Sequence, residues 1–435
     1  MEVKLITKRF AIISAITASL LIIVAVVISS ISFGIEAEVA EHIEARNSLS
    51  VIAPEEISAP DTNGFILSVL SETSSAKFFA ESETSPKNVQ KRNHHLTLEG
   101  GAVIGTSSVP AIYDAARNDI LSGTYSYDIF SASGRELSKL IGIGLLDDIS
   151  DNEYIDTSAD WFDATITDSL TLFGKKFLLS STITDTLNSA YVLVYNPALC
   201  DGEELKNAAL CGTLTVEKLL AYEKSIDVDA GDSHALLASI GGAFVSAAET
   251  VEVLPIKAAR ETVEKLLPLV EKCDGTSLFA NGDVAFAVMT LGEVKNLRAD
   301  GVEAEILPLP KNSVEDIYRT YVDVGTTSLI ALPSGHPDMD VVSYLTYRLA
   351  FLSEGYILPS YYENFGGDDA EMLRIIAANA SSDISALFGY GDIDSLAAEW
   401  MTGDASRLSL EYYNRKTLYE KALSIIEKRL IQKDI

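Results

Sequence analysis

A stretch of 24 residues, Phe10 to Phe33, holds no charged side chain and is mostly Ile, Leu, Val and Ala. Lys4, Lys8 and Arg9 precede it, against a single Glu2. At about 1.5 Å per residue, a helix of that length crosses a hydrocarbon core of about 30 Å. Cationic residues stay on the cytoplasmic side, so everything after Phe33 is expected outside the membrane. A cleaved signal segment has a shorter apolar core, about 7–15 residues, closed by small residues of A-x-A type. Ser30-Ile31-Ser32 matches that pattern poorly, so an anchor that stays is favoured over a signal peptide that is removed.

About 400 residues remain, enough for two or three domains with cores of their own. The chain carries a formal net charge of −30; without the first nine residues, which hold three positive and one negative charge, it is −32. Such an acidic surface disfavours nucleic acid and anionic lipid as partners. Cys200, Cys211 and Cys273 are the three cysteines. A short loop disulfide between Cys200 and Cys211 is open to a chain outside the cell. The odd count and the lack of a C-x-x-C argue against a disulfide scaffold or a zinc site. The adjacent His94 and His95 lack the i, i+4 spacing of a helical ligand pair, so no metal or cofactor is expected.

Residues 34–63 read as a linker, rich in Glu, Ala and Ser and containing Pro54 and Pro60. From Gly64 short apolar runs alternate with amphipathic ones. Gly64–Leu70, Tyr127–Phe130, Lys176–Ser180 and Ala190–Tyr195 read as strands. Ala111–Leu121, Arg135–Leu145 and Thr215–Ser225 read as helices, the last with Thr215 as N-cap and Glu217 in its first turn. That alternation predicts an α/β protein with largely parallel sheets. Beyond Pro310 comes a strand-like run, Val322–Leu332. Helices are then expected around Val341–Leu352, Ala370–Ala378 and Arg407–Leu430.

Four stretches, in this order, give the chain a family likeness. Val109–Leu145 holds Tyr127-Asp128-Ile129-Phe130 before a helix that leads to Gly144-Leu145-Leu146-Asp147-Asp148. Trp161–Leu179 holds Asp168-Ser169-Leu170-Thr171 before Gly174-Lys175-Lys176. Leu278–Phe286, with Asn281-Gly282-Asp283, leads to Ile306-Leu307-Pro308-Leu309-Pro310-Lys311. Ile330-Ala331-Leu332-Pro333 is followed by Leu358-Pro359-Ser360-Tyr361-Tyr362. Each is a loose pattern of apolar strands and turns; together they cover most of Gly64 to Leu430. On them the chain resembles bacterial extracellular solute-binding proteins of the sugar-uptake type, which feed ABC importers.

The resemblance implies a two-lobed fold of the periplasmic-binding-protein kind (type II), with helical C-terminal segments. Lobe 1 would take residues 64–172 and 318–352, and lobe 2 residues 173–317 and 353–435. It also implies a small solute, a carbohydrate or similar, trapped by hinge closure and handed to an importer permease. Ligands of such folds meet loops at the carboxyl ends of strands. That rule selects Ser131 and Ser133, then Ser180, Ser181 and Thr182, with Gly242 and Thr326 in two further turns. A sugar also needs a flat ring against its C–H faces, for which Trp161, Tyr361, Tyr362 and Trp400 are candidates; core packing is the competing role of each. Asp128, Asp185 and Asn188 would add polar contacts. Family members in single-membrane bacteria carry a lipid-accepting cysteine just after the signal segment, and here that position has none. A membrane-anchored sensor or scaffold on the same fold is therefore the main alternative. Neither a G-x-S-x-G elbow, a P-loop nor an H-E-x-x-H sequence occurs, so an enzyme is not expected.

Overall fold

A computed structural model of the protein describes residues 59–78, 102–222, 226–228, 232–271, 278–392, 395–396, 399–400 and 408–433. The apolar run at 10–33, His94, His95 and Cys273 lie outside the described residues, as does the side chain of Tyr362. Among the described residues no helix is long and apolar enough to cross a membrane.

In chain order the strands are β1 (Ile66–Glu72), β2 (Val103–Val109), β3 (Ile129–Ser133), β4 (Tyr191–Tyr195), β5 (Ile226–Asp227), β6 (Val245–Ser246), β7 (Glu252–Val253), β8 (Val270–Glu271), β9 (Phe286–Thr290), β10 (Glu305–Leu307), β11 (Thr320–Tyr321), β12 (Ser328–Ala331) and β13 (Ala380–Ser381). Two sheets dominate. The first has the order β12-β3-β1-β2, parallel except for β12, which runs antiparallel beside β3. The second has the order β10-β4-β9-β5-β8, parallel across β9, β5 and β8 and antiparallel at β4 and β10.

Both faces of the first sheet are covered, which is why its strands are apolar on successive residues. Leu67, Val69, Ile129 and Ile330 face one core, which they share with Trp161, Val342 and Leu345. Leu70, Phe130 and Ala132 face another, packed with Leu137 and Leu140 of the helix Gly134–Ile141. Local chemistry sets several helix starts. Thr215 accepts from the Lys218 amide, the expected N-cap, and Thr290 with Glu293 forms a full capping box.

Some expectations shift in extent. Lys176–Ser180 is not a regular strand: its backbone makes a single bridge, Leu179 to Ile330, at the edge of the first sheet. The expected Val322–Leu332 strand forms only at β12, because Asp323 to Thr327 is a turn. The helix expected near Val341–Leu352 is longer, Met339–Phe365, while Ala370–Ala378 forms with the expected bounds.

Three segments join the sheets. Ser180 to Ala190 leads from the edge of the first sheet into β4, and Arg319 to Thr327 returns to β12. These two lie side by side, with Ala190 bridging Val322 and the Tyr191 and Tyr321 rings 5.9 Å apart. The long helix Met339–Phe365 is the third; its Tyr361 hydroxyl donates to Asp185 Oδ1 at 2.7 Å on the first crossing.

Candidate functional site

The carboxyl ends of β1 and β3 bring Glu72 and Ser133 together, the Ser133 amide donating to Glu72 Oε2 at 2.8 Å. The turn Asp323–Thr327 lies directly on this edge. The Gly134 amide donates to the Val324 carbonyl at 3.0 Å, and the Arg135 amide to that of Gly325 at 3.3 Å. Only glycine fits at position 134, since a Cβ would overlap the Val324 carbonyl oxygen. Within the turn Asp323 accepts from the Gly325 amide and from Thr326 Oγ1, both at 2.9 Å.

From the second sheet, Tyr191 opens β4 opposite Thr290, the last residue of β9. Burial is the largest cause that raises the Tyr191 pKa; the charges of Asp232, Asp323 and Glu293 and a hydrogen bond to Asp232 add to it. Three carboxylates from three separate segments thus act on this phenol. Tyr321 lies beside it, and His234 packs on Tyr321 with centroids 4.8 Å apart. Glu72, Ser133, the Asp323 turn, Tyr191, Asp232 and Glu293 therefore form one polar surface where the strand ends of both sheets meet the crossings. It offers carboxylate acceptors and the half-buried Tyr191 phenol, backed by the buried rings of Tyr321 and His234, a set that hydrogen-bonds hydroxyl or ammonium groups. Among the described residues no group of three or more His, Cys, Asp or Glu side chains is arranged to hold a metal ion.

Of the residues expected from the sequence, Ser133 and Thr326 belong to this surface, and Thr326 is exposed. The others are elsewhere or in supporting roles. Ser131 is fully buried within β3. Trp161 is 3 % exposed and packs edge-on against Tyr347 and Phe351, so its ring serves the core beneath the first sheet. Ser181 Oγ accepts from the Ile183 amide, and Thr182 Oγ1 donates to the Ala350 carbonyl at 2.8 Å, tying the crossing to the long helix. Gly242 ends the helix Ser233–Gly241 at φ 85°, a conformation suited to glycine.

Tyr361 is buried against Phe365, with Lys295 Nζ 4.0 Å from its ring centroid, and acts on the crossing through Asp185. Asn188 accepts from Lys295 at 3.0 Å beside it. Ser180 Oγ donates to Asp163 Oδ2 at 2.6 Å. Asp128 pairs with His336 at 3.0 Å at the opposite end of the first sheet, and Trp400 packs with Phe244 and Tyr412. Cys200 and Cys211 are not joined by a disulfide, and Cys211 is exposed. Sequence reasoning passed over Glu72, Tyr191, Asp232, Glu293 and Asp323. The signal for Glu72 and Tyr191 was their place at strand termini; the other three stand out only once folding brings them to Tyr191.

No family model matches the chain. No curated protein matches it either. Solved structures do. A cyclo/maltodextrin-binding protein complexed with maltotetraose is 17 % identical, with 87 % of this chain and 98 % of that one covered and a TM-score of 0.51. The cyclic α-maltosyl-1,6-maltose binding protein of Arthrobacter globiformis is 17 % identical over 83 % and 99 %, with a TM-score of 0.56. The galacto-N-biose/lacto-N-biose I-binding protein of an ABC transporter from Bifidobacterium longum is 13 % identical over 85 % and 99 %, with a TM-score of 0.54. The chain therefore has the two-lobed α/β fold of solute-binding proteins. At these identities the likeness is one of fold, and it agrees with the resemblance read from the four sequence stretches.

Proposed function

We propose that the protein is an extracytoplasmic solute-binding protein that takes a carbohydrate or similar polar solute between its lobes for an ABC importer. The adjacency of Tyr191, which hydrogen-bonds with Asp232, to the Asp323 turn across the Ala190–Val322 bridge carries this reading. A neutral sugar presents a ring of hydroxyl donors and apolar C–H faces; carboxylates take the first and the half-buried Tyr191 ring the second. Ser133 and Thr326 complete the polar edge from lobe 1. The proteins that share the fold support the solute class: one is complexed with maltotetraose, one is named for cyclic α-maltosyl-1,6-maltose, and one is in complex with lacto-N-biose. The role is capture and release rather than bond breaking. The Phe10–Phe33 run would hold the body at the outer face of the cell membrane, close to the permease.

The test is thermal unfolding of the full chain in detergent against mono- and oligosaccharides, amino acids and polyamines. A solute at 100 times its dissociation constant stabilises the fold by about 2.7 kcal/mol. A saturable shift with a sugar, weakened in Tyr191→Phe and Asp323→Asn, is expected. A folded sample that no solute stabilises would remove the proposal.

A further inference from the structure

The C-terminal helix, Leu408–Lys433, differs in charge from the rest of the chain. It holds six Lys and Arg against three Glu, a net +3 on a protein of net −30, so everything else carries −33. One side is fixed to the body: Tyr412, Tyr419, Leu423, Ile426 and Leu430 are buried, and the Tyr419 hydroxyl donates to the Ile384 carbonyl. The other side leaves Leu410, Tyr413, Leu418, Ile425 and Ile431 between 47 % and 70 % exposed. Lys421, Lys428 and Arg429 are exposed on that same side; of the three Glu, Glu411 and Glu427 are half-buried, and Glu420 pairs with Lys416 at 3.6 Å. At about 100° per residue all eight fall within an arc of about 160°.

The topology adds a second, independent observation. Arg429 donates to the carbonyl of Gly142, which ends the helix that returns from the ligand-facing end of β3. The Asp147 amide then donates to the Leu332 carbonyl, and the Ser334 amide to that of Leu145, just past the end of antiparallel β12. The far end of the C-terminal helix thus lies at the pole of the first sheet where β1 begins. There the chain enters from the linker that follows the apolar run.

We infer that the exposed face of this helix docks on an anionic phospholipid surface. This rests on the reading of Phe10–Phe33 as a membrane anchor. A basic face with interspersed large apolar residues lies in a lipid interface, with Leu, Ile and Tyr at the acyl boundary and the cations at headgroups. Each Lys or Arg at such a surface is worth about a fivefold change in partition. The acidic remainder does not prevent this: charges more than about 10 Å away are screened at about 0.1 M salt, and acidic groups beside the helix are paired, Asp392 and Glu399 with Arg415 and Glu420 with Lys416. Docking would hold the body at the membrane with the cleft of the first sheet at the opposite end of β1.

The experiment uses the full chain carrying Tyr413→Trp, reconstituted into vesicles with brominated acyl chains. The native Trp161 and Trp400 are buried and report little. In vesicles containing phosphatidylglycerol, the introduced indole is expected to be quenched, and salt or Lys421→Glu with Lys428→Glu reduces the quenching at least tenfold. In phosphatidylcholine alone its emission stays bright. A chain that co-floats with the vesicles yet shows no quenching in phosphatidylglycerol overturns the docking and leaves the anchor intact. Co-flotation only with phosphatidylglycerol, with quenching, supports docking and removes the anchor. Equal shielding of the indole in both lipids, dependent on protein concentration, overturns it in favour of contact between copies.

Discussion

Replacing Asp163 by Asn tests how the first crossing is held. The Asp163 carboxyl accepts from Ser180 Oγ at 2.6 Å, and its own amide donates to the Ser180 carbonyl at 3.0 Å. Burial, its largest influence, pushes the pKa from 3.8 to about 6; the Ser180 hydrogen bond opposes this and the Asp185 charge adds to it. Asp185 is in turn held by Tyr361, with Lys295 close by. A carboxyl whose pKa is raised on folding binds its proton more tightly in the native state. Its contribution is fully present below the unfolded value and is lost as pH rises through about 6. The change from 3.8 to about 6 corresponds to about 3 kcal/mol, an upper figure because Asp163 is only partly buried by accessible surface. Denaturant unfolding of wild type and Asp163→Asn, from about pH 4 to about pH 8, isolates this group, because other carboxyls cancel in the difference. The variant is expected to gain on the wild type by roughly 2–3 kcal/mol across that interval. A difference that stays flat with pH, or that moves the other way, refutes the reasoning.

Three further outcomes are expected. Trp161→Ala should cost about 3–5 kcal/mol in unfolding free energy, because a ring packed on Tyr347 and Phe351 is lost from the core beneath the first sheet. Gly134→Ala should destabilise by about 1–3 kcal/mol and weaken solute binding, since the new methyl displaces the Asp323 turn from the end of β3. Thr290→Ala, which removes the capping box beside Tyr191, should cost about 1 kcal/mol by calorimetry, with Thr290→Ser restoring most of it.

The elements that locality alone specifies were legible. Thr215 capped its helix and Ala370–Ala378 kept its bounds, because caps and apolar periodicity act over a few residues. Lys176–Ser180 has the composition of a strand yet gains only one bridge, because a strand exists only where a partner edge runs alongside. For Trp161 and Tyr361 the sequence leaves ligand contact open but favours core packing. Apolar surface reads the same in sequence whichever of the two it meets, and both rings are buried in protein.

Sequence by itself determined the acidic overall charge, the uncharged run before the folded body, the α/β alternation and the family of folds. All of these are sums or short-range patterns. Tertiary structure alone decided that Glu72 meets Ser133, that Asp232, Glu293 and Asp323 act on Tyr191, and that Lys421, Lys428 and Arg429 of one helix share an exposed face. Those arrangements depend on which strand ends and crossings become neighbours. Contacts between segments far apart in the chain leave no local trace in composition or periodicity.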